Sequence, residues 1–276
     1  MPMCSEGSGF LLVASLQDKA GCNIASVLRS RYGFRETSER FEGSSIYECG
    51  GIKLAYTKRD IIYADHLDEV FNPKAYIFLS RHSSETGIPC LTAHFPGNLG
   101  EDASYGGRAR EPSITFPSLL KSYLKAIWLR RSEAEGYQIV LEPMHHGPSS
   151  LKKPCMFVEI GSRVEQWSDL RAAEVVADSL WSAINNFEYA SKVGVGFGGT
   201  HYSSKFTQLL IETEYALGAV ASKHTLPELT LETVKSMVSR CVEEVRYAIL
   251  DWKGLSTEKQ KILRFVDELG LEVVKI

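Results

Sequence analysis

Short apolar runs alternate along the chain with segments in which apolar residues recur every three or four positions. Runs of about four to eight apolar residues are typical of buried strands, and three-and-four spacing is typical of helices with one buried face. The runs predict strands at residues 10–16, 75–79, 90–93, 137–141, 156–160 and 192–197, and shorter extended segments at 61–63, 245–250 and 271–276. The spacing predicts helices at residues 21–31, 116–135, 229–240 and 256–269, and a helix or turn leading into a strand between 206 and 220.

Two local motifs add to this pattern. Gly50-Gly51 separates two β-rich runs within residues 45–56, and such a dipeptide readily adopts the positive φ angles of a hairpin turn. Ser162 and Glu165 have the spacing of a capping box, which predicts that a long helix begins there. The alternation of strands and helices, with the hairpin, favours an α/β fold: a single domain over residues 1–276 with a central mixed β-sheet flanked by helices.

Composition narrows the class of protein. The 31 basic residues against 34 acidic ones give a net charge of −3, so no global basic field indicates nucleic-acid binding. The six cysteines form no Cys-x-x-Cys pair, which favours a reducing compartment and buried thiols over a structural zinc finger. The N-terminus lacks a signal-peptide pattern and no apolar run reaches the roughly 18 residues of a membrane span. We expect a soluble, cytoplasmic protein with no membrane or DNA partner.

Five histidines follow predicted strands. His82 comes after Arg81, His94 precedes Phe-Pro-Gly-Asn, His145 and His146 lie in His-His-Gly-Pro, and His201 follows Gly-Gly-Thr. Prolines keep these segments out of regular helices and central strands. Because ligands bind where strand-end loops share an edge of an α/β sheet, we predict that the five imidazoles meet in one crevice. Such a cluster could serve acid/base catalysis or hold a metal, and the residues alone leave both open.

Two other chemistries have weaker support. Ser149 and Ser150 neighbour the histidines, but the Gly-x-Ser-x-Gly signature of a serine nucleophile is absent. The glycines of residues 194–199 lack the spacing and the acidic partner of a dinucleotide fingerprint. Residues 97–117 are rich in Gly, Ser, Arg and Pro, which predicts a long functional or mobile loop, with a lid over the site as one option.

Five segments together resemble the archaeal and plant type of D-aminoacyl-tRNA deacylase. They are Ser80-Arg81-His82, residues 94–98 (HFPGN), 145–148 (HHGP), 157–162 (FVEIGS) and 195–202 (VGFGGTHY), in this order. Ser149 stands where the family pattern has threonine, and Ser203-Ser204 where it has an Ala-Pro-like pair. The resemblance implies a core similar to peptidyl-tRNA hydrolase and phosphorylases, with D-aminoacyl-tRNA as partner. It also implies hydrolysis of the ester at the tRNA 3′ end, and a Zn2+ cofactor whose ligands stay unassigned.

The predicted site follows from these segments. Catalytic candidates are His94, His145, His146, Glu159 and His201, with Glu159 orienting an imidazole. Substrate-binding candidates are Arg81, His82, Gly97, Asn98, Gly147, Pro148, Gly198, Gly199 and Tyr202. The amide of Gly147 or Gly199 is predicted to stabilise the oxyanion, and a rigid Gly-Pro wall to exclude L side chains.

Contact with tRNA phosphates requires a local basic rim. Its predicted members are Arg108, Arg110, Lys121, Lys125, Lys152 and Lys153. Two rival functions are a nucleoside phosphorylase-like enzyme, which would depend on phosphate, and a non-enzymatic RNA-binding protein, which would leave the histidines without a role. The oligomeric state is left open.

Overall fold

The computed structural model describes residues 9–276, and its largest element is a mixed sheet of eight strands in the order β2-β3-β4-β1-β5-β10-β6-β9. In chain order the first ten strands are β1 (Phe10–Ser15), β2 (Arg35–Phe41), β3 (Ser44–Cys49), β4 (Ile52–Thr57), β5 (Ala75–Ser83), β6 (Cys90–His94), β7 (Gly97–Asn98), β8 (Glu111–Pro112), β9 (Gln138–Leu141) and β10 (Cys155–Ser162). The short strands β7 and β8 pair only with each other. The predicted α/β fold with a mixed central sheet is confirmed.

A second, parallel sheet of four strands was not foreseen. Its strands are β11 (Lys192–Phe197), β12 (Tyr215–Ala221), β13 (Tyr247–Leu250) and β14 (Glu272–Lys275), in the order β12-β11-β13-β14. Apolar residues from both sheets, such as Val158 and Phe197, belong to one continuous hydrophobic core. The two sheets are therefore packed together rather than separated by a linker.

Seven α-helices cover the sheets. They are α1 (Lys19–Tyr32), α2 (Pro117–Leu129), α3 (Val164–Trp167), α4 (Leu170–Asn186), α5 (Ser204–Glu212), α6 (Leu231–Ser239) and α7 (Lys259–Glu268), counted over the described residues 9–276. Short 3-10 helices lie at Ile61–Glu69, Arg131–Ala134, Leu226–Glu228 and Ser256–Glu258. Within the same residues, no helix has the length and apolarity needed to cross a membrane.

Several local predictions hold and others are wrong. The hairpin is confirmed, since β3 and β4 pair antiparallel around Gly50 and Gly51 at φ 56° and 78°. The strand at residues 61–63 is wrong, because this segment opens a 3-10 helix. The capping box is also wrong: Ser162 ends β10 and its hydroxyl donates to the Ile88 carbonyl. The long helix α4 begins later, where Asp169 accepts hydrogen bonds from two amides of the first turn.

The two faces of the large sheet differ in cover. One face packs under α1, α2 and α4 and contributes Leu12, Leu79 and Val158 to the main core. The opposite face carries a smaller apolar cluster that includes Phe78 and Phe157. Side chains alternate between faces along a strand. The residues two positions after Phe78 and Phe157 therefore lie on the same face of the sheet as this smaller cluster. These positions hold the polar groups described next.

Candidate active site

Three strands place polar side chains on one face of the large sheet. β10 pairs in parallel with β5 and antiparallel with β6, and this register sets Glu159 opposite Ser80 and Thr92. By the alternation of side chains, His82 of β5 and His94 of β6 lie on the same face as Glu159. Because β6 runs against β10, His82 and His94 approach Glu159 from opposite directions. A shared face, rather than the predicted shared edge, brings these residues together.

Glu142, the residue that follows β9, lies at the centre of the cluster. Its side chain is fully buried, with Oε1 2.9 Å from His201 Nε2 and 3.2 Å from His82 Nδ1. Its Oε2 is 3.5 Å from His94 Nδ1. Neither carboxylate oxygen accepts a well-aligned hydrogen bond from any described group. Three imidazoles from β5, β6 and the loop after β11 therefore converge on one buried carboxylate.

Burial and close charges shift the pKa values of this group in opposite directions. Burial would lower the pKa of His82, but the carboxylates of Glu142 and Glu159 outweigh it and raise the pKa to about 12. Burial disfavours ionisation of Glu142, yet the facing imidazoles of His201 and His82 hold its pKa well below the usual range. Burial, together with the charge of Glu142, raises the pKa of Glu159 to about 7. The cluster thus contains an imidazolium beside a carboxylate and a second carboxyl that titrates near neutrality.

The loop after Glu142 fixes the tautomers of the adjacent histidines. His145 Nδ1 is 2.9 Å from the Pro143 carbonyl oxygen, and His146 Nδ1 is 2.6 Å from the Gly147 carbonyl oxygen. A carbonyl only accepts, so both Nδ1 atoms carry the proton and both Nε2 atoms keep a lone pair. Burial lowers the pKa of His145, and burial with the charge of His145 lowers that of His146 to about 3. Both rings are therefore neutral at physiological pH.

The cluster fits a metal ion. His94 Nε2 lies 3.2 Å from His146 Nε2, and His94 Nδ1 faces Glu142 with no hydrogen-bond partner among the described residues. If His94 Nδ1–H points at the carboxylate, two Nε2 lone pairs face each other, an arrangement that a cation between them would stabilise. Two nitrogens about 2.0–2.1 Å from a tetrahedral zinc ion would be separated by about 3.3 Å. His145 supplies a third nitrogen within 4.8 Å of the other two.

A cavity of about 780 Å³ opens beside the cluster. The predicted residues that line it are Arg81, His82, Asn98, His145, His146, Glu159 and His201. His94 is completely buried behind this surface, in ring contact with His145 at 4.3 Å between centroids. The long loop of residues 97–110 contributes Leu99, Asp102 and Tyr105 to the cavity wall, in keeping with the functional loop predicted there.

The other predicted residues support the wall from behind. The Gly97 amide donates to the His146 carbonyl at 2.6 Å, and β7 places Gly97 against β8. A Cβ at Gly147 would lie 2.3 Å from the Gly107 nitrogen and 2.5 Å from the Ile62 oxygen, so only glycine allows this close approach. Pro148 follows it and is buried. Tyr202 Oη lies 3.1 Å from His82 Nε2.

The Gly147 amide is engaged elsewhere, contrary to its predicted oxyanion role. The Gly147 amide donates to the Tyr105 carbonyl at 3.0 Å, and the Gly198 amide to the Ala221 carbonyl at 2.8 Å. Gly199 packs against Ser203 and, like Gly198, is absent from the cavity lining over residues 9–276. These glycines shape the loops and do not present donors to the cavity.

The predicted basic rim differs in part from the structure, and the serine nucleophile that the sequence disfavoured has no support in it. Lys121 Nζ donates to the carbonyls of Thr213 and Tyr215, and Arg110 pairs with Glu101 at 2.6 Å. Ser149 is fully buried and its hydroxyl donates to Glu111 while it accepts from the Arg108 amide. Ser149 therefore ties two loops together, and the rim lacks at least Lys121.

Glu142 is the functional residue that sequence reasoning missed. It stands directly after an apolar strand and before Pro143, much as His94 ends β6 two residues before Pro96. A carboxylate at a strand end, three residues before a histidine pair, is the signal that could have identified it. Acids are common at the surface, so the signal was weak without the fold.

Comparison with known proteins agrees with the resemblance. The family model of D-aminoacyl-tRNA deacylase matches residues 70–274. The D-aminoacyl-tRNA deacylase of Pyrococcus abyssi is 34% identical over 273 residues, covering 96% of this chain and 99% of the relative. That of Methanococcus maripaludis is 41% identical over 202 residues, covering 70% and 78%.

The fold has a close counterpart among solved structures. The crystal structure of a conserved protein of unknown function superposes with a TM-score of 0.91 at 34% identity, covering 98% of this chain and 96% of that one. The names of the relatives favour neither the phosphorylase nor the RNA-binding alternative. This chain belongs to the D-aminoacyl-tRNA deacylase family.

Proposed function

We propose that this protein hydrolyses the ester between a D-amino acid and the 3′ end of tRNA, releasing the free amino acid and the tRNA. The observation that carries this proposal is the buried cluster of one carboxylate and several imidazoles at a cavity of about 780 Å³. Ligand cavities of roughly 300–1,000 Å³ hold small organic groups, which suits an aminoacyl group with its terminal nucleoside. An activated ester needs only an oriented water, a base and stabilisation of the oxyanion.

His201 is the proposed general base. Its Nε2 lies 2.9 Å from Glu142 Oε1, and its side chain is 48% exposed on the cavity side. With the Nε2 proton on the side of the carboxylate, Nδ1 keeps a lone pair that can take a proton from a water in the cavity. The buried charge of Glu142 then stabilises the imidazolium that forms, as a carboxylate does for a catalytic histidine in hydrolytic triads.

His94, His145 and His146 are the residues that would hold a zinc ion, through their Nε2 atoms. Carboxylates behind His94 and backbone carbonyls behind His145 and His146 fix the ring orientations, the arrangement found around many metal-bound histidines. When bound, zinc would supply Lewis-acid polarisation of the ester carbonyl, replacing the Gly147 amide, which is engaged elsewhere.

Asn98 is the proposed contact for the substrate amino group. Its Nδ2 donates to the carbonyls of Gly106 at 2.8 Å and Arg108 at 3.3 Å, which fixes the side chain and leaves Oδ1 as an acceptor. Asn98 lines the cavity next to His146. The position of His146 is fixed because the following residue, Gly147, packs closely against neighbouring backbone atoms. With the amino group held by this fixed acceptor, the two enantiomers place their side chains in different directions. The side chain of the L amino acid would then clash with the rigid wall.

Deacylation of D- and L-tyrosyl-tRNA, before and after chelation and zinc restoration, tests the proposal. We expect rapid release of the D amino acid, much slower release of the L amino acid, and loss of activity that zinc restores. His146→Ala should reduce the rate on the order of 10²-fold or more and lower the zinc content. Comparable rates on the two enantiomers would refute the proofreading function, and an unchanged rate in His146→Ala would remove that residue from the mechanism.

A further inference from the structure

A second cavity, of about 550 Å³, lies beside the active cavity and has no part in the reaction proposed above. We call it the edge groove. Its lining includes Trp128, Arg131, Tyr137, Gln138, Tyr202 and Gln208. The side chains come from the end of α2, the 3-10 turn after it, strand β9 and helix α5, so the groove is built from four separate elements.

The edge groove runs along the open side of β9, the last strand of the large sheet. At the C-terminal end of β9 this side is closed by α5, because the Leu141 amide donates to Thr207 Oγ1 at 2.9 Å and its carbonyl accepts from the Ser203 amide at 3.2 Å. Before Leu141 the strand edge faces the groove. The groove therefore lies between the uncovered part of the β9 edge and helix α5.

Tyr202 connects the edge groove to the catalytic cluster. Its ring lines the groove, and its Oη lies 3.1 Å from Nε2 of His82, which lines the active cavity. One tyrosine side chain thus separates the two cavities. A chain molecule whose end is bound beside His201 can continue past Tyr202 into the groove.

The lining has the chemistry that recognises unpaired nucleotides. Arg131 Cζ lies 4.9 Å from the ring centroid of Trp128, and Arg131 Nη1 donates to the Trp128 carbonyl at 2.8 Å, so cation and indole form one platform. Among the described residues, no carboxylate lies within ion-pair distance of Arg131. Single-stranded RNA is bound by stacking of bases on aromatic rings and arginine, with polar side chains at base edges. Gln138, Gln208 and Glu212 supply such polar groups.

We propose that the edge groove binds the unpaired nucleotides that precede the esterified terminal nucleoside of the tRNA. A base stacks on Trp128, a phosphate pairs with Arg131, and the ester reaches the active cavity past Tyr202. This assignment rests on the proposed function, because it takes the tRNA as substrate. It gives the acidic protein a local nucleic-acid contact in addition to the predicted basic rim, from which Lys121 is missing.

The test compares two substrates of the full-length protein: D-tyrosyl-tRNA, and the D-tyrosyl ester of adenosine, which lacks the preceding nucleotides. Loss of one stacking platform costs about 1–3 kcal/mol, so Trp128→Ala should lower kcat/KM on the tRNA by about 5- to 150-fold. Hydrolysis of the adenosine ester should be unchanged. Arg131→Ala, a surface change, should lower kcat/KM on the tRNA. It should also reduce the slope of the salt dependence by about 1, the change expected for the loss of one phosphate contact.

Trp252→Ala is the matched control, because Trp252 is also partly buried and carries a lysine over its ring at 4.0 Å, away from both cavities. It should leave the ratio of the two rates unchanged. Equal losses on both substrates in Trp128→Ala, or no loss in either groove variant, would overturn the assignment. If the wild-type protein hydrolyses neither substrate, the proposed function fails. The affinity of Arg131→Ala for uncharged tRNA then decides the groove separately: weakened binding supports it and unchanged binding overturns it.

Discussion

Glu142→Gln removes one charge from the centre of the cluster while keeping the size of the side chain. In the wild type, the carboxylate lies 3.2 Å from His82 Nδ1 and 2.9 Å from His201 Nε2. Removing one partner of a buried ion pair typically costs about 3–5 kcal/mol. Because His82 can release its proton in the variant, we expect the lower end, about 3 kcal/mol of unfolding free energy at neutral pH.

The pH dependence gives the sign of the effect. The pKa of His82 is raised to about 12, so its pair with Glu142 stabilises the fold fully below the unfolded pKa of about 6.5, and this contribution declines above that pH until it is lost as pH rises through 12. In the variant the Glu142 carboxylate, which raises the pKa of His82 most, is gone, and burial lowers that pKa. Stability of Glu142→Gln should then fall as pH drops below about 6.5, so the difference from wild type is larger at pH 5 than at pH 8.

The activity should fall with the stability, but for a separate reason. An amide cannot stabilise the imidazolium of His201, so the deacylation rate should drop on the order of 10²-fold or more under conditions where the variant is folded. Urea unfolding at pH 5 and pH 8, with single-turnover deacylation of D-tyrosyl-tRNA, measures both effects. The reasoning is refuted if the variant stays within about threefold of the wild-type rate.

Glu243→Gln is the matched control for this experiment. Glu243 is a half-buried carboxyl whose pKa is raised by burial, and it accepts from the Ser118 amide at 2.8 Å, away from the active cavity. The control should change stability without a comparable change in deacylation rate. A similar loss of activity in both variants would attribute the Glu142 effect to general destabilisation.

Two further changes test other parts of the site. Glu159 has a pKa raised by burial to about 7, so its contribution to stability is full below about 4.5 and declines as pH rises through 7. An amide does not titrate, so Glu159→Gln should remove this decline, which amounts to roughly 3 kcal/mol of unfolding free energy. Identical pH slopes in urea unfolding of wild type and variant would contradict this prediction. Gly147→Ala would place a Cβ 2.3 Å from the Gly107 nitrogen, which should cost about 1–3 kcal/mol and lower kcat/KM; an unchanged thermal midpoint would argue against the close packing.

The sequence predicts elements well where burial alone decides them. The runs that became β1, β5, β9, β10 and β11 are apolar enough to be recognised without tertiary information. Strand β2 (Arg35–Phe41) was missed because it lies at the sheet edge and is mostly polar and exposed, as edge strands often are. The 3-10 helix at Ile61–Glu69 was mistaken for a strand because its first three residues alone are apolar and β-like.

The sequence predicts the members of the site better than their arrangement. His82, His145, His146 and His201 line one cavity, and His94 lies directly behind it. The direction of β6 could not be read from its residues, however, and that direction decides whether His94 meets Glu159 at an edge or on a face. Pairing direction depends on contacts distant in the sequence, so no local motif specifies it.

The His-His-Gly-Pro loop shows how backbone atoms, which a motif does not display, decide the chemistry of the side chains. Pro143 and Pro148 have no N–H, and the Gly147 amide is already donated to Tyr105, so the loop faces its own imidazoles mainly with carbonyls. The carbonyls of Pro143 and Gly147 accept hydrogen bonds from the Nδ1–H groups of His145 and His146. Both Nε2 lone pairs are thereby directed to the side where His94 lies. The prolines and the glycine therefore belong to the active site as much as the histidines do, because they set which nitrogen is free to bind.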